Sequence, residues 1–184
     1  AKLLADTQGQ EAAYQQLSSQ RNAQISELQS QQAAELAARA AQTGGYTVAS
    51  DGSNGGYPSN WANAPMNSYV DSWGMYSRQC VSYAAFKVAS TYGNMPYWGG
   101  VGNANQWPGN ARAAGIPTGR SPKVGAVGVV SSGQYGHVAW VEAVNANGTI
   151  RISHYNVGWT GNFAVWDNLS PAYFDTYIYF GEWR

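Results

Sequence analysis

The residues of this sequence best suited to nucleophilic chemistry are its single cysteine, Cys80, and its two histidines, His137 and His154. A lone thiol cannot close a disulfide within its own chain, so Cys80 is explained either by packing or by reactivity. It stands at the start of a helical pattern, where the helix dipole and free backbone N–H groups favour the thiolate. Free cysteines are also common as small buried hydrophobic residues, and position alone leaves both explanations open.

The candidate base, His137, follows the glycine-containing loop 131–136 and begins a stretch of alternating polarity. Strand ends beside such loops can aim a side chain into a cleft. Taken alone, a histidine in this position is either a structural residue or a catalytic base.

A third group is predicted on the neighbouring strand. Every second residue from Ile150 to Asn156 shares one face, which changes from apolar to polar at His154 and Asn156. A hairpin through the turn 145–148 would bring this polar end beside His137. A nucleophile at a helix start, a base at a strand end and an orienting group on the next strand form the arrangement of a cysteine hydrolase.

These side chains must be positioned by a predicted α+β domain. Apolar residues at helical spacing from Val81 to Tyr92 predict a helix that Gly93 ends, with Ser77 as its N-cap. A short helix is expected within 103–114. A period of two then predicts strands over 124–130, 137–144, 149–156, 162–166 and 176–180. A helix followed by antiparallel strands indicates an α+β fold.

The chain divides into three segments. Residues 1–42 are rich in Ala, Gln, Glu and Leu and predict a helix. Residues 43–67 are rich in Gly, Ser and Asn and predict a flexible linker, which leaves 68–184 as the folded domain.

Large apolar residues in the first segment recur at a spacing of eleven, close to the period of a straight helix. They are Leu3, Tyr14, Ile25 and Leu36, with a second pair at Leu17 and Leu28. We expect this stripe to be the end of a longer coiled coil, formed with a partner protein or with a second copy of the chain. The alternative is a solvated helical tail whose pattern is accidental.

The composition excludes several classes of function. Ten basic residues balance ten acidic ones, so no bulk charge attracts the chain to nucleic acid or to an anionic membrane. The longest apolar stretches fall far short of the roughly 20 residues of a membrane helix. Low charge and abundant Gly, Asn, Tyr and Trp suit an exposed bacterial protein, and we expect secretion to the cell surface or cell wall. No signal segment opens the chain, although a mature chain would have lost one.

The sequence resembles the CHAP family, the cysteine- and histidine-dependent amidohydrolases and peptidases. The matching blocks are residues 79–84, 98–104 with Trp107, 122–127, 136–139 and 152–156. The resemblance implies a papain-like α+β fold and a peptidoglycan substrate. It also implies that Cys80 is the nucleophile, that His137 is the general base, and that Asn156 is a polar member of the site.

One position departs from the family pattern. Many CHAP domains carry Glu where this chain has His154, whereas related NlpC-type wall peptidases use a histidine as the third group. We expect His154 to hold the ring of His137, the alternative being that His154 only packs and that Asn156 orients the base. A neutral imidazole stabilises an imidazolium less than a carboxylate does, so we expect a weaker thiolate–imidazolium pair and a narrower pH range of activity than with Glu.

Aromatic rings flanked by Gly and Asn can stack on sugars, and we expect Trp98, Trp107 and Trp159 to border a substrate groove. One cysteine and two histidines are too few for a confident zinc site, so neither a metal nor a cofactor is predicted.

The sequence thus predicts a secreted peptidoglycan hydrolase that cleaves an amide bond, either as an N-acetylmuramoyl-L-alanine amidase or as a peptide endopeptidase. The alternative is a cell-wall binding or scaffolding module with negligible turnover. A further alternative is a hydrolase that its N-terminal helix holds inactive until a partner releases it.

Overall fold

The computed structural model describes residues 2–49 and 53–183. It contains four α-helices: α1 (Lys2–Gln42), α2 (Ser59–Ala62), α3 (Cys80–Tyr92) and α4 (Trp107–Ala113). The strands are β1 (Thr47–Ala49), β2 (Thr118–Gly119), β3 (Val127–Val130), β4 (His137–Val144), β5 (Ile150–Tyr155), β6 (Phe163–Leu169) and β7 (Thr176–Ile178). The predicted α+β class is confirmed.

The strands form one antiparallel sheet in the order β1-β6-β5-β4-β3-β7-β2. The predicted hairpin joins β4 to β5, because the backbone N–H of Asn145 donates to the carbonyl of Thr149 at 2.8 Å. This hairpin brings the start of β4 beside the end of β5, where the two histidines lie. Within the described residues, no helix is long and apolar enough to cross a membrane.

The sheet has a hydrophobic core on each face. Helix α3 covers one face, where Tyr83, Ala84 and Val88 are fully buried. The C-terminal end of α1 covers part of the other face through Leu36 and Ala40, which are 4% and 2% exposed. Successive side chains along each strand therefore pack into two apolar layers, as expected for a sheet covered on both sides.

Two sequence-based predictions need correction. The N-cap of α3 is Gln79 rather than Ser77, whose buried hydroxyl instead accepts from the backbone N–H of Tyr69. Much of the predicted linker 43–67 is part of the fold: β1 pairs with β6, and Tyr57 is 2% exposed in the core. The surrounding Gly and Ser residues are typical of a linker, and the short strand β1 and the single buried ring of Tyr57 do not change that local pattern. Residues 50–52 of that linker lie outside the described residues.

The predicted apolar stripe on α1 is partly buried against the domain and partly exposed. Leu36 packs on the domain, whereas Tyr14, Leu17 and Ile25 are 70%, 48% and 46% exposed. The position of the Leu3 side chain lies outside the described part of the structure. Pairing of the exposed stripe with another helix stays a prediction.

Candidate active site

Cys80 is the first residue of α3 and is partly exposed. Gln79 precedes it in an extended conformation, and its carbonyl accepts the first helical hydrogen bond, from the backbone N–H of Tyr83 at 3.1 Å. The thiol therefore lies at the helix N-terminus, where backbone N–H groups are free of helical partners. Backbone N–H groups of Val138, Val81 and Cys80 itself lie against its sulfur.

His137 is the first residue of β4 and is 3% exposed. Gly136 allows the chain to turn into the strand, because its φ is +71° and a Cβ there would lie 2.6 Å from the carbonyl oxygen of Val130. The residue before the base is thus restricted to glycine by the backbone on the neighbouring strand. The predicted position of His137 at a strand end, beside a turn, is what the structure shows.

His154 is the side chain in contact with the His137 ring. Nε2 of His137 lies 2.8 Å from Nδ1 of His154, which is fully buried on β5. This bond leaves Nδ1 of His137 as the ring nitrogen able to exchange a proton with a thiol. The structure therefore brings His137 and His154 together as expected, although a histidine is a neutral rather than an anionic partner.

Asn156 has a different set of contacts. Its side-chain Nδ2 donates to Oε1 of Gln79 at 2.7 Å, and its Oδ1 accepts from the backbone N–H of Gly161 at 2.7 Å. Gln79 in turn donates from Nε2 to Oδ1 of Asn67 at 2.8 Å. The alternative in which Asn156 orients His137 does not agree with this geometry, because its amide is committed to Gln79 and Gly161.

Burial controls the protonation of the reacting pair. It raises the pKa of Cys80 to about 11, against the backbone N–H groups that favour the thiolate. It lowers the pKa of His137 to about 4 and places that of His154 well below its ordinary value. At neutral pH Cys80 is therefore a neutral thiol and His137 a neutral imidazole, the form in which its ring can accept a proton.

Cys80 and His137 open onto a cavity of about 460 Å³. Asn156, Gln79 and Trp159 also line it. The volume lies within the range of small-molecule sites, and amide side chains share the lining with the thiol.

Of the three tryptophans predicted to contact substrate, only Trp159 lies beside this cavity, where its ring meets Tyr135 edge to face at 5.5 Å. Trp107 is fully buried and Trp98 is 6% exposed. Both rings belong to the core, because they pack on each other at 5.1 Å and both contact Phe180. Their Gly- and Asn-rich surroundings reflect tight turns around a buried aromatic pair.

Sequence reasoning missed two groups of cavity residues. Gln79 and Asn67 form the amide chain described above, and Gln79 could have been found because it is adjacent to the candidate nucleophile. The second group is on α1, where Ile25, Gln29, Gln32 and Leu36 line the cavity. The sequence places these four residues on one helical face but contains no signal that the face meets the site. Within the described residues, no cluster of acidic, cysteine and histidine side chains could hold a metal ion.

Comparison with known proteins gives a match over the segment that contains these site residues. Residues 70–156 match the family model of the CHAP domain. This segment is therefore similar to CHAP domains. It contains Cys80, His137, His154 and Asn156, whereas α1, β1 and Asn67 lie outside it.

The relatives are staphylococcal. The chain is 38% identical over 102 residues to the secretory antigen SsaA of Staphylococcus aureus, across 55% of this chain and 38% of the relative. It is 37% identical over 103 residues to the secretory antigen ssaA2, across 55% of this chain and 37% of that protein. The chain thus spans less than two fifths of the length of these relatives.

A solved structure shares the fold. The crystal structure of an N-acetylmuramoyl-L-alanine amidase from Staphylococcus aureus matches with a TM-score of 0.50 and 30% identity. The match covers 62% of this chain and 34% of that one. The resemblance to the CHAP family is therefore confirmed over residues 70–156.

Proposed function

We propose that this CHAP-like domain hydrolyses an amide bond of bacterial peptidoglycan with Cys80 as the nucleophile. The observation that carries the proposal is the bond between Nε2 of His137 and Nδ1 of His154 beside a cavity that Cys80 shares. It commits one ring nitrogen of His137 and leaves the other to work as a base. The amidase with the similar structure supports peptidoglycan as the substrate.

The reaction follows from this arrangement. As the sulfur of Cys80 bonds to the substrate carbonyl carbon, its proton passes to Nδ1 of His137. The backbone N–H of Cys80 and the Nε2–H of Gln79 that Asn67 does not use stabilise the oxyanion. The C–N bond then breaks, the leaving amine takes the proton from His137, and a thioester remains on Cys80.

Water completes the cycle. His137 removes a proton from the attacking water, the C–S bond breaks, and the thiolate recovers that proton. The products are a carboxylate-bearing fragment and an amine. A Trp159 ring at the cavity edge offers a stacking surface for a sugar or peptide group of the wall polymer.

The test is turnover of purified peptidoglycan by the full chain and by Cys80→Ala. We expect release of soluble fragments and new amines by the wild type, and none above background by the variant. Thermal unfolding of both proteins shows whether the variant is folded. Equal activity of a folded Cys80→Ala variant would reject the mechanism, and mass analysis of the fragments identifies the bond cut.

The relatives named as secretory antigens support export of this protein to the cell surface or wall. An exported enzyme would meet peptidoglycan directly. Detection of the protein in the culture medium or wall fraction by antibody, compared with a cytoplasmic marker, tests this part of the proposal.

A regulated module is the second candidate, and one observation favours it. Helix α1 lines the same cavity and is held by Leu36 in the core and by an ion pair of Arg39 with Asp175. A helix in this position restricts access to Cys80. If α1 regulates the site, Leu36→Ala loosens it and raises the rate, whereas Leu17→Ala on the exposed part leaves the rate unchanged; an unchanged or lower rate in Leu36→Ala would contradict regulation.

A further inference from the structure

One ring nitrogen of His154 is buried without a hydrogen-bond partner in the described part of the chain. Its ring is fully buried, Nδ1 contacts His137, and Nε2 has no hydrogen-bond partner among the described residues. Buried polar atoms are nearly always satisfied, so an orphan beside a catalytic base needs a physical account.

The orphan nitrogen matters because two tautomers of the histidine pair are available. In the first, Nε2–H of His137 donates to Nδ1 of His154, and the proton of His154 is on Nε2. In the second, Nδ1–H of His154 donates to His137, and the proton of His137 is on Nδ1. Only the first leaves Nδ1 of His137 free to accept the proton of Cys80, so only the first is productive.

The two tautomers present different groups at the orphan position. The productive one presents an N–H there, and the unproductive one presents a lone pair. A neighbour that attracts N–H groups and repels lone pairs would therefore select the productive state. The face of an aromatic ring has this property, because its π electrons are negative.

Trp166 is the aromatic neighbour in the right place. Its ring centroid lies 4.4 Å from that of His154, and the planes meet at 77°. In the register of β5 with β6, Trp166 is opposite Ile152 and Ala164 is opposite His154, so Trp166 is the diagonal neighbour of His154. Its ring is 4% exposed, so little water competes for the contact.

The indole is itself held in place. Tyr46 stacks on it with a centroid distance of 3.7 Å and an interplanar angle of 14°. The stacked Tyr46 occupies one face of the indole, so an edge-to-face contact in which His154 meets the indole face would use the other. Tyr46 lies between α1 and β1, so a segment outside the CHAP match supports the catalytic pair.

We propose that Trp166 is a positioning residue for catalysis: its indole face accepts Nε2–H of His154 and thereby selects the tautomer in which His137 offers a bare Nδ1 to Cys80. The role of this contact in turnover depends on the proposed cysteine mechanism. The tautomer itself is a property of the folded chain and does not depend on activity.

The tautomers can be read directly, because the chain contains only two histidines. Ring ¹⁵N chemical shifts of the full chain at pH 7 distinguish protonated from bare nitrogens in each ring. We expect protonated Nε2 and bare Nδ1 in both histidines of the wild type. A wild-type His154 protonated on Nδ1 would overturn the proposal, whatever the activity.

Two substitutions of Trp166 distinguish the effect of its aromatic face from the effect of its side-chain volume. Trp166→Phe keeps an aromatic face, and Trp166→Leu removes it while retaining an apolar side chain. We expect Trp166→Leu to populate the second tautomer and to lower kcat about 10- to 100-fold with KM within about twofold, the range typical of groups that orient a catalytic ligand. Trp166→Phe should retain the wild-type tautomers and most of kcat.

Wild-type tautomers in a folded Trp166→Leu variant would reject selection by the indole. If that variant does not fold, the wild-type spectrum and Trp166→Phe still decide, because loss of the productive tautomer in Trp166→Phe also contradicts a general π-face role. Activity of Cys80→Ala, in contrast, would reject the proposed function and leave the tautomer result intact.

Discussion

The two flanks of Cys80 are built in opposite ways. On one flank, His137 and His154 are buried with a single hydrogen bond between them and an unpartnered nitrogen behind them. On the other, the amides of Gln79 and Asn156 form a chain in which each has an identified partner. We call these the histidine flank and the amide flank.

This difference suits the histidine flank to proton transfer and the amide flank to holding the geometry of the site. Nδ1 of His137 is not used by the bond to His154 and can take and return a proton, whereas the amide chain, whose hydrogen bonds are already made, fixes the start of α3. The histidine flank is therefore expected to control the chemical step. The amide flank is expected to control the position of the substrate carbonyl.

The largest expected effect is at the base. His137→Ala removes the proton acceptor, and we expect kcat/KM on peptidoglycan to fall about 10³- to 10⁴-fold, as for loss of a general base that activates a nucleophile. Glu142→Gln on the same strand is the control, since Glu142 pairs with Lys87 away from the cavity and should keep near wild-type activity. A loss of less than tenfold in folded His137→Ala would assign the base elsewhere.

A smaller effect is expected one step further from the thiol. His154→Ala leaves His137 in place without its partner, and we expect kcat to fall about 10- to 100-fold with little change in KM. His154→Glu should recover activity above that of the alanine variant, because a carboxylate stabilises the imidazolium of His137. Equal rates for the two variants would show that His154 acts by packing alone.

The pKa values of the buried Cys80 and His137 change the expectation of a narrower pH range of activity. Values of about 11 for Cys80 and about 4 for His137 leave a wide pH interval in which the pair carries one proton. The cost of a histidine in place of Glu should therefore be seen as a lower rate rather than as a narrower pH range. A pH–rate profile of wild type against His154→Glu checks this point.

The amide flank should give a loss of similar size at Gln79 and a smaller one at Asn67. Gln79→Ala removes an oxyanion donor and breaks the chain to Asn156, and we expect about a 10- to 100-fold loss in kcat. Asn67→Ala leaves Gln79 present but less constrained, and we expect a loss of about tenfold or less. If Asn67→Ala were more harmful than His154→Ala, the division between the two flanks would be wrong.

The last expected effect concerns stability rather than rate. Burial lowers the pKa of His137 from its ordinary 6.5 to about 4, so below pH 6.5 the unfolded chain takes the proton first. The free energy of unfolding should fall as the pH is lowered from 6.5 towards 4, by on the order of 3 kcal/mol for this group. Urea unfolding at several pH values should show a shallower decline for His137→Gln, and equal declines would contradict burial of a neutral His137.

The sequence predicts those parts of the molecule whose pattern is local. The period of β4, the turn after it and the change of polarity along β5 together located His137 and His154 beside each other. The apolar spacing from Val81 to Tyr92 likewise located Cys80 in the first turn of α3, although the N-cap was assigned two residues too early.

The remaining features depend on contacts between distant segments. Tyr57 enters the core from a Gly-rich segment, and α1 reaches the cavity through Ile25 and Gln29, for which no local period is diagnostic. The polar neighbours of Trp98 and Trp107 favour a position in the groove, whereas tight turns place both rings inside the core. Which face of a helix or ring meets another element is decided by tertiary packing.

The central claim, that Cys80 attacks an amide carbonyl, is tested most directly by trapping the thioester. The full chain is mixed with soluble peptidoglycan fragments, quenched in acid within a turnover, and analysed by mass spectrometry of the intact protein and its peptides. We expect an adduct equal in mass to the acyl part of the substrate on the peptide that contains Cys80. Hydrolysis that proceeds with no adduct in the wild type, and equally well in Cys80→Ala, would contradict it.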